Sequence, residues 1–198
     1  MFPIFLKEVN TFFSSLIGYI VMSVFLVTMG LFMFVFPDTS LLNYQYASLD
    51  QLFAIAPMIF LFLIPAVTMR SFSEEYQAGT IELLSTKPIS DYGIILGKYF
   101  ACLLLVAFTL VPTVLYYYTV SELGASEDTL DSGAILGSYI GLFFLAAVFT
   151  AIGLFASSLS SNQITGFVLA TFLCFLLYHI KLNYGFVAEW LKRLDIAC

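Results

Sequence analysis

Charge is distributed along this 198-residue chain so as to leave long stretches empty. Between successive Asp, Glu, Lys and Arg residues lie uncharged runs at 9–37, 51–69, 99–121 and 132–180, of 29, 19, 23 and 49 residues. A helix crosses the about 30 Å hydrocarbon core of a bilayer in about 20 apolar residues. In lipid every backbone N–H and C=O must be satisfied within the protein, and α-helices do so within one segment. The expectation is an all-α, polytopic helical membrane protein. With 10% charged residues, 61% hydrophobic residues and 22 phenylalanines, a disordered tail and an ordinary soluble enzyme are excluded. Three scattered cysteines without a CxxC exclude a disulfide scaffold as well.

The runs divide into crossings by length and polarity. Residues 9–37 would be about 43 Å long as one helix, more than a crossing requires. Their opening is mixed, with Asn10, Thr11, Ser14 and Ser15 beside Phe12 and Phe13, so residues 2–14 read as a helix in the headgroup layer. The first span is then 16–36. Its thirteen Leu, Ile, Val and Phe residues favour insertion by about 4–8 kcal/mol in sum. The second span, 51–69, contains Pro57 and Pro65 and stops at Arg70; the third, 99–121, has Pro112 near its middle. As one helix the 49-residue run would be about 74 Å long. Its polar stretch Ser157–Gln163 divides it into spans at 133–156 and 164–180. Five crossings result.

Short-loop lysine and arginine set the orientation. Lys7, Arg70, Lys87 and Lys98 share one side, and the opposite loops, 37–50 and 122–131, have acids but no base. That places the N-terminus and the 70–98 loop in the cytoplasm. The tail, 181–198, then lies outside despite Lys181, Lys192 and Arg193. Phe186, Val187, Trp190 and Leu191 give it one apolar face, as an external amphipathic segment would have.

Catalytic patterns are missing. There is one histidine, His179, and no HExxH or GxSxG; Glu74 and Glu75 are adjacent and diverge on a helix. The expectation is a protein that is not an enzyme and has no cofactor or metal. Gly93-Ile-Ile-Leu-Gly97-Lys98 has three residues between its glycines where a phosphate-binding loop has four, and Tyr99 where that loop has Ser or Thr. Lys98 is therefore read as a membrane-edge lysine. The spans hold no Asp, Glu, Lys or Arg with which to couple proton or sodium movement. With a net charge of −6 and no basic surface, nucleic acid is not a partner. Energy for transport would have to enter from outside the lipid.

The 70–98 loop is the one dense polar island. Ser71 followed by Glu74 matches a capping box for a short helix ending at Gly79, and Ser90-Asp91 opens the helix of the third span. On the residues alone the loop is either a docking surface or a solvated connection. Its pattern, Arg70…Glu74…Gly79-Thr80-Ile81-Glu82-Leu83-Leu84…Lys87-Pro88…Gly97-Lys98, resembles the loop signature of type 2 ABC exporter permeases. Ile64–Phe72 and the opening Lys7-Glu8…Phe12-Phe13-Ser14-Ser15 are similar to the gliding-motility-associated permease of Bacteroidota.

The resemblance implies a multi-pass permease subunit of a bacterial inner membrane. It would pair with a second permease copy and be driven by a separate ABC ATPase, serving export or gliding motility. It also implies an ATPase-coupling loop carried by Arg70, Glu74, Glu75, Gly79, Thr80, Glu82, Leu83, Leu84 and Pro88. Such permeases have six spans, so the chain is expected to lack the last. The other reading is a structural membrane subunit of a motility or secretion complex, with no solute flux. Finally, Gly133, Gly137 and Gly141 form a doubled GxxxG, a close-packing pattern for helices within the chain or between two copies.

Overall fold

The computed structural model describes residues 2–36, 49–79, 91–123 and 131–195, the last as backbone alone from residue 180. Eight α-helices are described: α1 Phe2–Ser14, α2 Leu16–Gly30, α3 Asp50–Thr68, α4 Arg70–Gln77, α5 Asp91–Leu110, α6 Val114–Leu123, α7 Ser132–Ser158 and α8 Gln163–Asp195. No strand occurs among the described residues. Among the described residues, four stretches are long and apolar enough to cross a membrane: Gly18–Val35, Asp50–Gln77, Asp91–Glu122 and Ser132–Ser158; Gln163–His179 is a shorter apolar helix. The chain is an all-α, multi-pass membrane protein.

Local chemistry sets the breaks. Ser15 is extended (φ −93°, ψ 147°) and separates α1 from α2. The elbow is so tight that a Cβ on Gly18 would lie 2.5 Å from the Phe12 carbonyl oxygen. Beyond Gly30 the helix widens into a π turn, Leu31–Val35, in which the Phe36 N–H donates to the Leu31 carbonyl. Pro112, which has no N–H, sits in a 3₁₀ turn, Val111–Thr113, between α5 and α6. There the Thr113 hydroxyl donates to the Leu110 carbonyl at 2.6 Å.

The sequence places a helix start at Ser71, but no capping box forms. Met69 keeps right-handed helical angles (φ −54°, ψ −29°), so α4 continues almost directly from α3 and Ser71 lies inside it. Gly79, at φ +65°, ends this extension in the left-handed conformation that glycine tolerates. At the other end of the chain, α8 runs on as one helix to Asp195, past residues 180 and 181, between which the sequence reading divides a span from a separate tail segment.

In the bundle, α3 lies against α2, α7 and α8, while α7 also packs on α5 and α8. Phe25 and Phe60 stack at 5.3 Å in the core, beside buried Met29, Leu52, Ile64, Leu105 and Phe149. Phe62, Phe108, Phe144, Phe155 and Phe172 face outward, as suits a lipid surround. Lipid tails are as apolar as leucine, so helix contact depends on close packing. Ala56, Ala101, Ala146, Ala156 and Ala170 are fully buried, and a Cβ on Gly153 would overlap the Thr68 hydroxyl. Buried Thr68, Thr109 and Thr150 donate their hydroxyls to carbonyls four residues back, at 2.8–2.9 Å. Their polarity is thereby satisfied within each helix.

Candidate functional site

The polar residues converge at the end of the bundle where α1, α4 and the start of α5 meet. Lys98, in the second turn of α5, is 1% exposed, so its ammonium must find partners within the protein. It donates to Glu8 Oε1 at 2.8 Å and to the Ser71 carbonyl at 2.6 Å, and lies 3.0 Å from Glu75 Oε1. The Phe72 ring closes another side, its centroid 5.1 Å from Nζ, within range of a cation–π attraction. Lys7 reaches the same Glu75 oxygen at 3.1 Å and stands 3.9 Å from Glu8. Through one lysine, α1 and α4 are both bound to α5. The membrane-edge position expected for Lys98 is thus a buried one.

The opposite side of α4 is held by hydroxyls. Ser157 Oγ, near the end of α7, accepts from the Phe72 and Ser73 N–H groups at 3.1 and 3.3 Å and donates to the Met69 carbonyl at 2.9 Å. Ser73 Oγ donates to the Ser160 carbonyl at 2.9 Å, in the turn between α7 and α8. Ser157 thus gives two N–H groups just past the α3–α4 junction an acceptor from another helix. Gly166 on α8 lies beside this contact; a Cβ there would stand 3.6 Å from Ser73 Oγ, an ordinary van der Waals distance. An eight-residue helix is therefore anchored to α1 and α5 by charge and to α7 and its turn by neutral hydrogen bonds.

Among the residues singled out from sequence, Arg70, Glu74 and Glu75 lie on α4, and Gly79 closes it. Arg70 and Glu74 face each other at 3.6 Å, an ion pair too long for a direct hydrogen bond. Thr80, Glu82, Leu83, Leu84 and Pro88 lie outside the described residues. Gly133, Gly137 and Gly141 occupy an exposed face of α7, and a Cβ at Gly137 or Gly141 would meet no atom within 4 Å. Within the chain this stretch of α7 packs through other residues, Ile135 against the core and Tyr139 against Phe53 and Thr113, and the small-residue contact is at Gly153. The sequence reading did not assign Glu8, Ser73, Ser157 and Ser160 to the site. Its only signals were an acid before the first span and serines that also spell a turn. No group of three or more His, Cys, Asp or Glu side chains placed to hold a metal occurs among the described residues.

A family model described as ABC-2 family transporter protein matches residues 35–183. The chain belongs to this family. It is thus an ABC transporter permease, a membrane subunit of a kind that normally works with an ATPase subunit. The matched stretch includes α4, Lys98 and the α7–α8 turn of this ABC-2 permease, while Lys7 and Glu8 precede it. No curated protein and no solved structure matches the chain.

Proposed function

We propose that this ABC-2 permease is driven by a separate ATPase that docks on the 70–98 segment, at the cytoplasmic face of a bacterial inner membrane. The observation supporting this is the anchoring of α4 to α1, α5, α7 and the turn that leads into α8. A push on Gly79 and the residues after it (Thr80, Glu82, Leu83, Leu84, Pro88) would be delivered to several helices together. Buried ion pairs and close-packed glycine contacts resist continuous deformation, so such a push moves the helices as a unit. In this reading a second permease copy completes the transporter, which serves export or gliding motility.

Two classes of substitution test the proposal. Gly79→Val strains a left-handed turn and Glu82→Lys reverses a charge; both should reduce co-purification of the ATPase while membrane insertion is retained. Ser157→Ala, and Lys98→Met combined with Glu8→Gln and Glu75→Gln, should leave the ATPase bound but lower ATP-dependent cargo movement in reconstituted vesicles. ATPase recovery undiminished by Gly79→Val and Glu82→Lys would overturn the docking assignment. ATPase stimulation with no flux of any cargo would favour the structural subunit of a motility or secretion complex.

A further inference from the structure

We propose that the cavity beside α4 is a binding site for an ethanolamine phospholipid, held as a resident lipid by its zwitterionic head group. The cavity is about 240 Å³, smaller than the about 300–1,000 Å³ of sites for whole drug-sized ligands and of a size for a head group. It lies where α1 turns into α2, against α3, α4 and α5. Val21, Val67 and Leu105 give it an apolar wall, and Glu8, Arg70 and Glu74 bring charge to it. A ligand there must be apolar along one side and ionic along another.

The ionic side specifies more. The Arg70 guanidinium, whose side chain is 32% exposed, has Glu74 at 3.6 Å, beyond hydrogen-bond length, and its buried Nε has no hydrogen-bond partner. An unpartnered Nε–H on a guanidinium suits a phosphate, which guanidinium recognises through paired hydrogen bonds. Glu74 is 56% exposed and only loosely paired, so it is available to an ammonium. The six groups linked by ion pairs at this end are three cations, Lys7, Arg70 and Lys98, and three anions, Glu8, Glu74 and Glu75. A balanced set with separated poles fits a zwitterion better than an anionic lipid.

Polarity along the helix matches as well. Arg70 is the residue nearer the apolar part of the bundle, and Glu74 lies one turn, about 6 Å, farther along α4. In an ethanolamine phospholipid the phosphate likewise lies nearer the acyl chains and the ammonium beyond it. The acyl chains would follow the outward apolar faces of α2 and α3, where Ile20, Val24, Met58 and Phe62 are exposed. On binding, the Arg70–Glu74 pair, 3.6 Å apart without lipid, would open, the phosphate taking the guanidinium and the ammonium taking the carboxylate.

The test is native mass spectrometry of the purified full-length chain in detergent, titrated with palmitoyl-oleoyl phosphatidylethanolamine, phosphatidylglycerol or phosphatidylcholine, and with soluble glycerophosphoethanolamine as competitor. The expected result is one phosphatidylethanolamine per chain, held roughly tenfold more tightly than either other lipid. Arg70→Gln should lose roughly tenfold of that affinity, and Arg70→Lys less. The exchange Arg70→Glu with Glu74→Arg keeps an ion pair but inverts the poles, and should abolish the preference in a chain whose unfolding midpoint is unchanged. Equal affinity for the three lipids, or a preference that survives the exchange, would overturn the proposal. Displacement by the soluble head group at the lipid's own concentration would assign the site to a free phosphate ester and overturn the lipid.

Discussion

The two ends of the bundle are held together by different chemistry. At the charged end, helices far apart in sequence are joined through side chains: Glu8 to Lys98, Lys98 to Glu75, Ser157 to the α4 backbone. Toward the opposite end the helices themselves are irregular, with the π turn at Leu31–Val35 and the 3₁₀ turn at Val111–Thr113. Among the described residues, side-chain contacts between helices there include neutral ones. The Tyr116 hydroxyl donates to the Leu26 carbonyl at 3.1 Å, Thr113 and Tyr139 share their hydroxyls at 3.1 Å, and Phe53 meets Tyr139 edge-on at 5.1 Å. Departures from the α ladder often mark hinges. The contrast separates an end suited to carrying displacement from an end suited to absorbing it.

The contrast is easiest to break at Lys98. Lys98→Met would leave the Glu8 and Glu75 carboxylates, which are 10% and 12% exposed, with the more exposed Lys7 as the remaining ammonium of the cluster, 3.1 Å from Glu75 and 3.9 Å from Glu8. Removing one partner of a buried pair costs about 3–5 kcal/mol, less where a second cation remains. The expected outcome is a large fall in the thermal unfolding midpoint of the detergent-solubilised chain. Adding Glu8→Gln and Glu75→Gln should restore much of it, because the buried negative charge that Lys98 offset is then gone. A single variant as stable as the parent would show that these ions carry no structural weight.

Ser157→Ala ranks next. It removes the acceptor shared by Phe72 N–H and Ser73 N–H, and leaving such groups unpaired costs about 1–3 kcal/mol. Neighbouring Ser158 donates only to the Phe155 carbonyl of its own helix, at an exposed position, so Ser158→Ala should stay within about 0.5 kcal/mol. The same unfolding measurement on both variants separates the tie to α4 from a general effect of serine in this turn.

Much of the fold could be read before the structure because a charge in hydrocarbon is costly enough to mark helix limits unaided. The runs starting at 51 and 132 open within a residue of α3 and α7. The site was less legible. Lys98 reads as an edge residue because its two anions are supplied by Glu8 and Glu75, contacts that no local pattern encodes. Ser71–Glu74 spells a capping box, yet α3 runs through Met69 and leaves no free helix start for a serine to cap. Ser157 and Ser160 have the composition of a turn, and their second task depends on which helix happens to lie across them.

At the irregular end, Tyr116→Phe tests how firmly α6 holds the widened stretch of the first span. The hydroxyl bonds the Leu26 carbonyl and stands 3.4 Å from where a Cβ on Gly30 would be. One neutral hydrogen bond contributes about 0.5–1.5 kcal/mol, so the shift in the unfolding midpoint should be clearly smaller than for Lys98→Met. A larger loss would mean that this end is as firmly tied as the charged one, and the division of roles between the two would not hold.

The smallest effect is expected on the glycine face of α7, which belongs to neither network. Leucine at Gly137 meets no atom of the chain within 4 Å of its Cβ, so the stability of a single chain should change by no more than about 0.5 kcal/mol. Small residues at four-residue spacing let helices approach closely in lipid, so a second copy seated there would be displaced by the same substitution. Two measurements therefore sharpen the comparison: the unfolding midpoint in dilute detergent, and disulfide cross-linking of Gly141→Cys chains with and without Gly137→Leu. An unchanged midpoint with cross-linking abolished would place an intermolecular contact on this face, apart from both ends. A lowered midpoint would show that the face is packed within the chain, where leucine must displace a neighbour.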